Sequence, residues 1–306
     1  MGANGAGKST TLENLAGIIS PTQGKVTIMG HNVSTDVSGS RQYLGYCTQT
    51  DNLFPNLTVE EHLRMFAMIY GHVDVELAVQ ISIRNLQLDK YSHVKSIQLS
   101  GGNKRKLMTC LTLLGAPEVV VLDEPSSGMD PVAQRFLWNT IHNVRRQGNS
   151  AVILVSPSFP EIEALCDRVT IICEGRMRCI GTTHYLNDKF GQHISVHVGV
   201  TKDQVQSQVV DHLTAALENQ FGKNFVWLEE VRTEEAEIRI NKEAPRASVA
   251  DVLKSIQTFS RVSETKFTSL GVSEPSIGDV FSDWIDKVER ESKIPYLDPI
   301  LDTKRL

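Results

Sequence analysis

The chain opens with Gly2-Ala3-Asn4-Gly5-Ala6-Gly7-Lys8-Ser9-Thr10. Glycines spaced in this way let backbone N–H groups turn inward around an anion. Lys8 reaches terminal phosphates, Ser9 offers a hydroxyl to a divalent cation, and the helix that must follow aims its positive end at the same point. The pattern GxxxxGK[ST] therefore reads as a phosphate-binding loop. A second group is Val119-Val120-Val121-Leu122-Asp123-Glu124, an apolar run ending in adjacent carboxylates. A strand of this kind presents its acids at its carboxyl end, where α/β sheets bind ligands. Asp123 is suited to a Mg²⁺ shell, and Glu124 to orienting or deprotonating an attacking water. A third group is Leu99-Ser100-Gly101-Gly102. Ser100 is a helix cap, and the two glycines expose backbone N–H groups that suit a second anion.

The elements that must position these residues alternate between two periods. Val119–Leu122, Ala151–Val155 and Arg168–Cys173 are short apolar runs rich in β-branched residues. Such runs suit parallel strands buried on both faces. Helical patterns lie between them, at Lys8–Ile18, Pro131–Arg146 and Glu161–Cys166. This alternation implies βαβ units around a mostly parallel sheet. From about 58 to 115 the chain is helical without strands. Thr58 and Glu61 form a capping box, Leu63, Phe66, Ala67 and Tyr70 mark one apolar face, and Leu77, Ile81 and Leu88 mark another. A third helix starts near Gly102. The expectation is a helical lobe inserted in an α/β core.

After Gly191 the pattern changes. His193–Val200 alternates strictly, a helix follows with Val205, Val209, Leu213 and Leu217, and two short strands come next, near 225–231 and 236–240, joined by the polar run Arg232–Glu235. A helix with Val249, Leu253, Ile256 and Phe259 then precedes a weak strand at about Val262–Leu270 and a last helix with Ile277, Phe281, Trp284 and Val288. That order, βαββαβ, is ferredoxin-like. The expected domains are 1–191, 192–291 and a tail at 292–306.

Composition narrows the classes. Lys and Arg total 31 against 36 Asp and Glu, a net charge of −5, which disfavours a dedicated nucleic-acid binder. The longest run free of Asp, Glu, Lys and Arg is Gln147–Pro160, and it contains Gly148, Pro157 and Pro160, so it is not a membrane span. Five cysteines, an odd number with no CxxC pair, read as reduced core thiols. Lys104-Arg105-Lys106 reads as a solvated helix face or as part of the helix that Ser100 caps.

The order GANGAGKST, YCTQ, LSGGNKRKL and VVVLDEPSSGMD resembles the nucleotide-binding domain of an ABC transporter, most specifically through LSGG. The form GGNKRKL, with Cys179-Ile180-Gly181, Tyr185-Leu186 and Lys189-Phe190-Gly191, resembles the A subfamily, which consists mostly of lipid transporters. The resemblance implies ATP and Mg²⁺ as ligands. Asn4 to Thr10 would hold ATP, and Ser9, Gln49 and Asp123 would hold the metal. It also implies a second nucleotide-binding domain facing this one head to tail. Ser100, Gly101 and Gly102 would touch the γ-phosphate held by that partner, and Asp130 would cross the interface. Gln49 would sense Mg²⁺ and the attacking water, and would couple the site to transmembrane domains. The working location would be the cytosolic face of a membrane.

Two features depart from the family. Pro157 stands where the family has a histidine contacting the γ-phosphate, and proline has neither a side-chain donor nor an N–H. Weakened hydrolysis is the expectation. In addition, Gly2 directly follows Met1, so the strand from which a phosphate loop hangs lies outside the sequence. The chain is read either as a piece of a longer polypeptide, the preferred reading, or as a truncated product with a compromised sheet. The leading function is an ATP-hydrolysing motor domain of a lipid transporter. The alternative is a degenerate module that binds ATP but hydrolyses little. A soluble ABC ATPase acting on ribosomes or DNA fits less well, because those proteins usually carry two cassettes in one chain.

Overall fold

The computed structural model describes residues 1–146, 150–199, 209–231, 235–245, 247–263 and 267–282. Two compact units divide between Ile180 and Gly181, ahead of the change in pattern at Gly191.

In the first unit, β3 (Leu44–Cys47), β4 (Val119–Asp123) and β5 (Ala151–Val155) form a parallel sheet in the order β3-β4-β5, with Asp123 opposite Val155. The middle strand feeds two layers, because successive side chains point to opposite faces. Val121 packs with Leu12 of α1 (Lys8–Leu15) and with Val155. Val120 and Leu122 pack on the other side with Met108 of α5 (Gly101–Leu114) and with Leu137 and Ile141 of α6 (Pro131–Arg146). These contacts fix α1, the helix after the phosphate loop, and α5, the helix capped by Ser100, on opposite sides of one strand.

β5 departs from the expectation of burial on both faces: Ile153 is 38% exposed. The reason is edge position, since β5 ends the described sheet, and it lines a cleft of about 570 Å³ together with Met1, Leu12, Thr170 and Ile172. Beyond α7 (Phe159–Leu165), β6 (Val169–Cys173) and β7 (Arg176–Gly181) pair as a separate hairpin turning at Glu174-Gly175. Two further short elements pair near the start, β1 (Thr27–Ile28) with β2 (His31–Asn32), ahead of α2 (Val37–Arg41).

The helical lobe consists of α3 (Val59–Ile69) and α4 (Val75–Asn85) packed on α5, around Leu63, Ala67, Val79, Ile83, Leu107 and Leu111. The capping box is present: the Thr58 N–H donates to Glu61 Oε2 at 2.8 Å, and the Glu61 N–H donates to Thr58 Oγ1 at 3.2 Å. The inward face of α4 differs from the expected one. Leu77 and Ile81 are half-exposed, while Val79 and Ile83 are buried. This helix carries two apolar stripes, and packing selects the one that continues into buried Leu86 and Leu88. Among the described residues no helix is long and apolar enough to cross a membrane.

The second unit contains α8 (Thr183–Phe190) and a four-stranded antiparallel sheet of β8 (His193–Gly199), β9 (Val226–Val231), β10 (Glu235–Asn241) and β11 (Ser269–Ser273), in the order β11-β8-β10-β9. With α9 (Val209–Phe221) between β8 and β9, and α10 (Val249–Val262) between β10 and β11, the element order is βαββαβ as expected. Alternate residues Ile194, Val196, Val198, Ile238 and Ile240 face Leu213, Leu217, Phe221, Val252 and Ile256. The weak strand lies later than expected. Val262 is the last residue of α10, and β11 begins at Ser269. Val205, Trp284 and Val288, and most of the Arg232–Glu235 link, lie outside the described residues.

Candidate nucleotide-binding site

The phosphate loop is shaped by its glycines. Gly5 and Gly7 have φ of 79° and 96°, a left-handed conformation costly for other residues. Ala6 donates its N–H to Ala3 O at 3.1 Å, closing the turn. Asn4, Gly5 and Thr10 are exposed, Ala6 is buried, and Gly7, Lys8 and Ser9 are partly covered. The Lys8 ammonium donates to the carbonyls of Gly2 and Ala3, both at 2.9 Å. The charge thus bends back across the loop that it serves, and phosphate oxygens would compete with two neutral carbonyls for it. The loop rests on the β6–β7 turn: Gly175 donates its N–H to Ala6 O, and a Cβ on Gly7 would meet Gly175 Cα at 3.4 Å.

Asp123 ends β4. It is 2% exposed, and its Oδ1 has no hydrogen-bond partner among the described residues. A buried carboxylate oxygen with nothing bound to it is costly unless a ligand satisfies it. Tyr46 stands near it, and its hydroxyl pKa is pushed up to about 12 by burial and by the carboxylates of Asp123 and Glu13. The buried carboxylate oxygen of Asp123 suits a hard divalent cation by its chemistry.

Glu124 follows in a left-handed conformation, φ 49°, with its N–H donated to Val155 O at 2.8 Å. This conformation costs about 1–2 kcal/mol for a residue with a Cβ. It turns the chain off the strand immediately after the buried acid. Pro157 lies exposed in the turn after β5. The Ser158 N–H donates to Ser156 Oγ, and Ser158 caps α7.

Ser100, Gly101 and Gly102 stand at the start of α5. Ser100 Oγ accepts the Asn103 N–H at 3.4 Å, and a Cβ on Gly101 would meet nothing within 4 Å. A Cβ on Gly102 would meet Met129 Cγ at 3.7 Å, so the open side of this helix start is at Gly101. Asp130, expected at an interface, is exposed and caps α6 by accepting the N–H groups of Val132 and Ala133 at 3.1 and 2.9 Å. Gln49 is exposed in the loop after β3.

Lys104-Arg105-Lys106 is not a solvated face. Arg105 and Lys106 are 7% and 9% exposed, and Arg105 donates to the carbonyls of Thr48 and Gln49. The usable signal was its neighbourhood, since Arg105 stands two residues before Leu107–Leu114, a run with no charged residue on any side of the helix. The turn Glu174-Gly175 was also missed as a contributor. An acid–glycine pair between two apolar runs is a hairpin signal, but nothing local says what the hairpin supports. Cys47, Cys110 and Cys179 are buried, and Cys166 and Cys173 are partly covered.

Residues 1–127 match the family model described as ABC transporter. A solved structure described as the ATP-binding subunit of an ABC transporter superposes with a TM-score of 0.58 at 30% identity, over 62% of this chain and 80% of that one. The chain belongs to the ABC transporter family. Within the ABC family it is similar to human ATP-binding cassette sub-family A member 2, 35% identical over 94% of this chain and 11% of that protein. It is also similar to the human phospholipid-transporting ATPase ABCA3, 42% identical over 67% of this chain and 12% of that protein. The chain thus spans about a tenth of the length of these curated relatives. An ABC cassette of this kind binds nucleotide, and its α/β core with an inserted helical lobe is the fold that the sequence implied.

Proposed function

We propose that this chain is the ATP-binding and ATP-hydrolysing cassette of an A-subfamily-like transporter that powers lipid movement across a membrane. The buried Asp123 carboxylate at the end of β4 carries this reading, because its Oδ1 has no partner among the described residues and suits a cation that a triphosphate would bring. The N–H groups of the loop from Asn4 to Thr10 bind phosphate oxygens, and Lys8 exchanges the carbonyls of Gly2 and Ala3 for them. Ser9, Asp123 and Gln49 would hold Mg²⁺, which when bound neutralises phosphate charge. Glu124 orients the attacking water and draws off its proton. Ser100, Gly101, Gly102 and Asp130 serve the interface with a second nucleotide-binding domain. ATP shared between the two surfaces favours the closed pair by differential affinity. Transmembrane domains receive that closure, at the cytosolic face of a membrane.

Lipid cargo rests on the likeness to the phospholipid-transporting relative. The assignment of 1–191 as the ATP-binding domain, and of 192–291 as a ferredoxin-like regulatory domain followed by a tail, belongs to the same proposal. It is supported by a similarity to a sub-family A member that runs over 94% of the chain.

The test is phosphate release and ATP binding, measured in parallel on the purified chain. Lys8→Ala should lose both, whereas Glu124→Gln should keep binding and lose release. Release that is equal in wild type and Lys8→Ala would end the enzymatic reading.

A further inference from the structure

Arg105 lies on the signature helix, four residues after Gly101 and thus on the same side of α5 one turn further on. Its guanidinium is almost fully buried and is spent on the backbone of another segment. Nη1 donates to Thr48 O at 2.7 Å, and Nη2 donates to Gln49 O. The adjacent Lys104 ammonium stands 3.9 Å from Asp51 in the same loop. That loop has its own bracing: Thr48 Oγ1 donates to Thr50 O at 2.9 Å, and Asn52 Nδ2 donates to Thr48 Oγ1 at 3.0 Å. Two consecutive cations of α5 therefore grip a folded loop at its first residues, and the planar two-pronged donor is aimed at the carbonyls flanking the Gln49 side chain.

We propose that Arg105 is a positioning residue that ties Gln49 to the signature helix. A nucleotide engaging Ser100, Gly101 and Gly102 from a second cassette would thereby reset Gln49 at this chain's own site. The inference rests on the proposed ATPase function, but the physical tie does not. A rigid helix carries displacement from its first turn to its second. Two backbone hydrogen bonds from one guanidinium leave the loop little freedom to lag behind. Coupling of this kind is reciprocal: what Gln49 senses at one nucleotide biases the anion-binding end of α5 offered to the other.

The experiment compares wild type, Arg105→Met, Arg105→Lys, Gln49→Ala and the double variant Arg105→Met/Gln49→Ala. Amide hydrogen exchange is read at residues 48–52 without nucleotide, and kcat and KM are read with MgATP. Arg105→Met should speed exchange in that loop and leave the first turn of α5 unchanged. Turnover should fall roughly ten-fold with KM for ATP moved less than about two-fold, because the phosphate loop is untouched. The double variant should be no slower than Gln49→Ala alone, since both remove one function. Arg105→Lys should recover part of the loss. Wild-type exchange at 48–52 in Arg105→Met, or losses that multiply in the double variant, would overturn the proposal. If Arg105→Met does not fold, Arg105→Lys decides by the same exchange readout, because one ammonium cannot hold both carbonyls. If wild type releases no more phosphate than Lys8→Ala, the ATPase reading fails, and exchange still decides the tie.

Discussion

Gly175 donates its backbone N–H to the carbonyl of Ala6 at 2.9 Å, so the tip of the β6–β7 hairpin props the phosphate loop. Gly175 has φ 72°, which proline cannot adopt. Gly175→Pro should therefore lose the donor and distort the turn together. A hydrogen bond is worth about 0.5–1.5 kcal/mol net, so ATP affinity should fall by roughly three- to ten-fold or more. Gly175→Asn, which tolerates a left-handed backbone and keeps its N–H, should bind nearly as wild type. Titration with a fluorescent ATP analogue distinguishes the two variants. Equal affinities would show that the prop is dispensable.

Pro157 gives the turn after β5 no donor. Pro157→His would place an imidazole there, beside the strand end that carries Asp123 and Glu124. A hydrogen bond to a charged group is worth about 1.5–3 kcal/mol, so turnover should rise by roughly ten-fold or more at saturating ATP. An unchanged steady-state rate would remove this position from any account of the rate.

His62 gives the helical lobe a pH dependence. It is fully buried; its Nε2 accepts the Phe54 N–H at 2.9 Å, which leaves the ring hydrogen on Nδ1, donated to Thr58 O at 2.8 Å. Burial lowers its pKa below the ordinary 6.5, against weaker opposition from Thr58 and Glu61. The neutral ring is thus the folded form. Above the unfolded pKa both states are neutral. As pH falls through it, the unfolded chain takes up the proton first, so stability declines until the folded pKa is passed. Thermal midpoints taken at about pH 7.5 and about pH 5.5 should drop more for wild type than for His62→Gln. Equal drops would assign the pH response elsewhere.

Leu107 is fully buried in the helical lobe. Leu107→Ala should destabilise the first unit by about 2–5 kcal/mol. The loss should appear as a lower urea midpoint with an unchanged slope. A shift under about 0.5 kcal/mol, the range of ordinary surface substitutions, would contradict this packing.

The chemistry-bearing motifs were legible because each is local. Gly2–Ser9, Ser100–Gly102 and Asp123-Glu124 each occupy a few consecutive residues, and each shapes its own turn or cap. The same held for the Thr58–Glu61 capping box and for the alternation in β8. What escaped was non-local. Nothing in Leu77 and Ile81 reveals that α3 and α5 would bury the neighbouring stripe of α4 instead. Ala151–Val155 has the residues of a central strand, although it ends the described sheet. The charge of Arg105 suggests solvent, and only the approach of the Thr48–Gln49 backbone gives it a buried task. Gln49 is proposed on family resemblance alone, since a glutamine in a polar loop carries no physical signature.

The left-handed turn at Glu124 sets stability and activity against each other. Glycine at 124 would relieve the left-handed backbone and should make a sturdier chain. It would also delete the carboxylate proposed to orient water. A library of variants of this chain screened only for heat resistance should therefore drift toward catalytic silence at position 124. Keeping the acid there requires selection on turnover, because the fold alone would discard it.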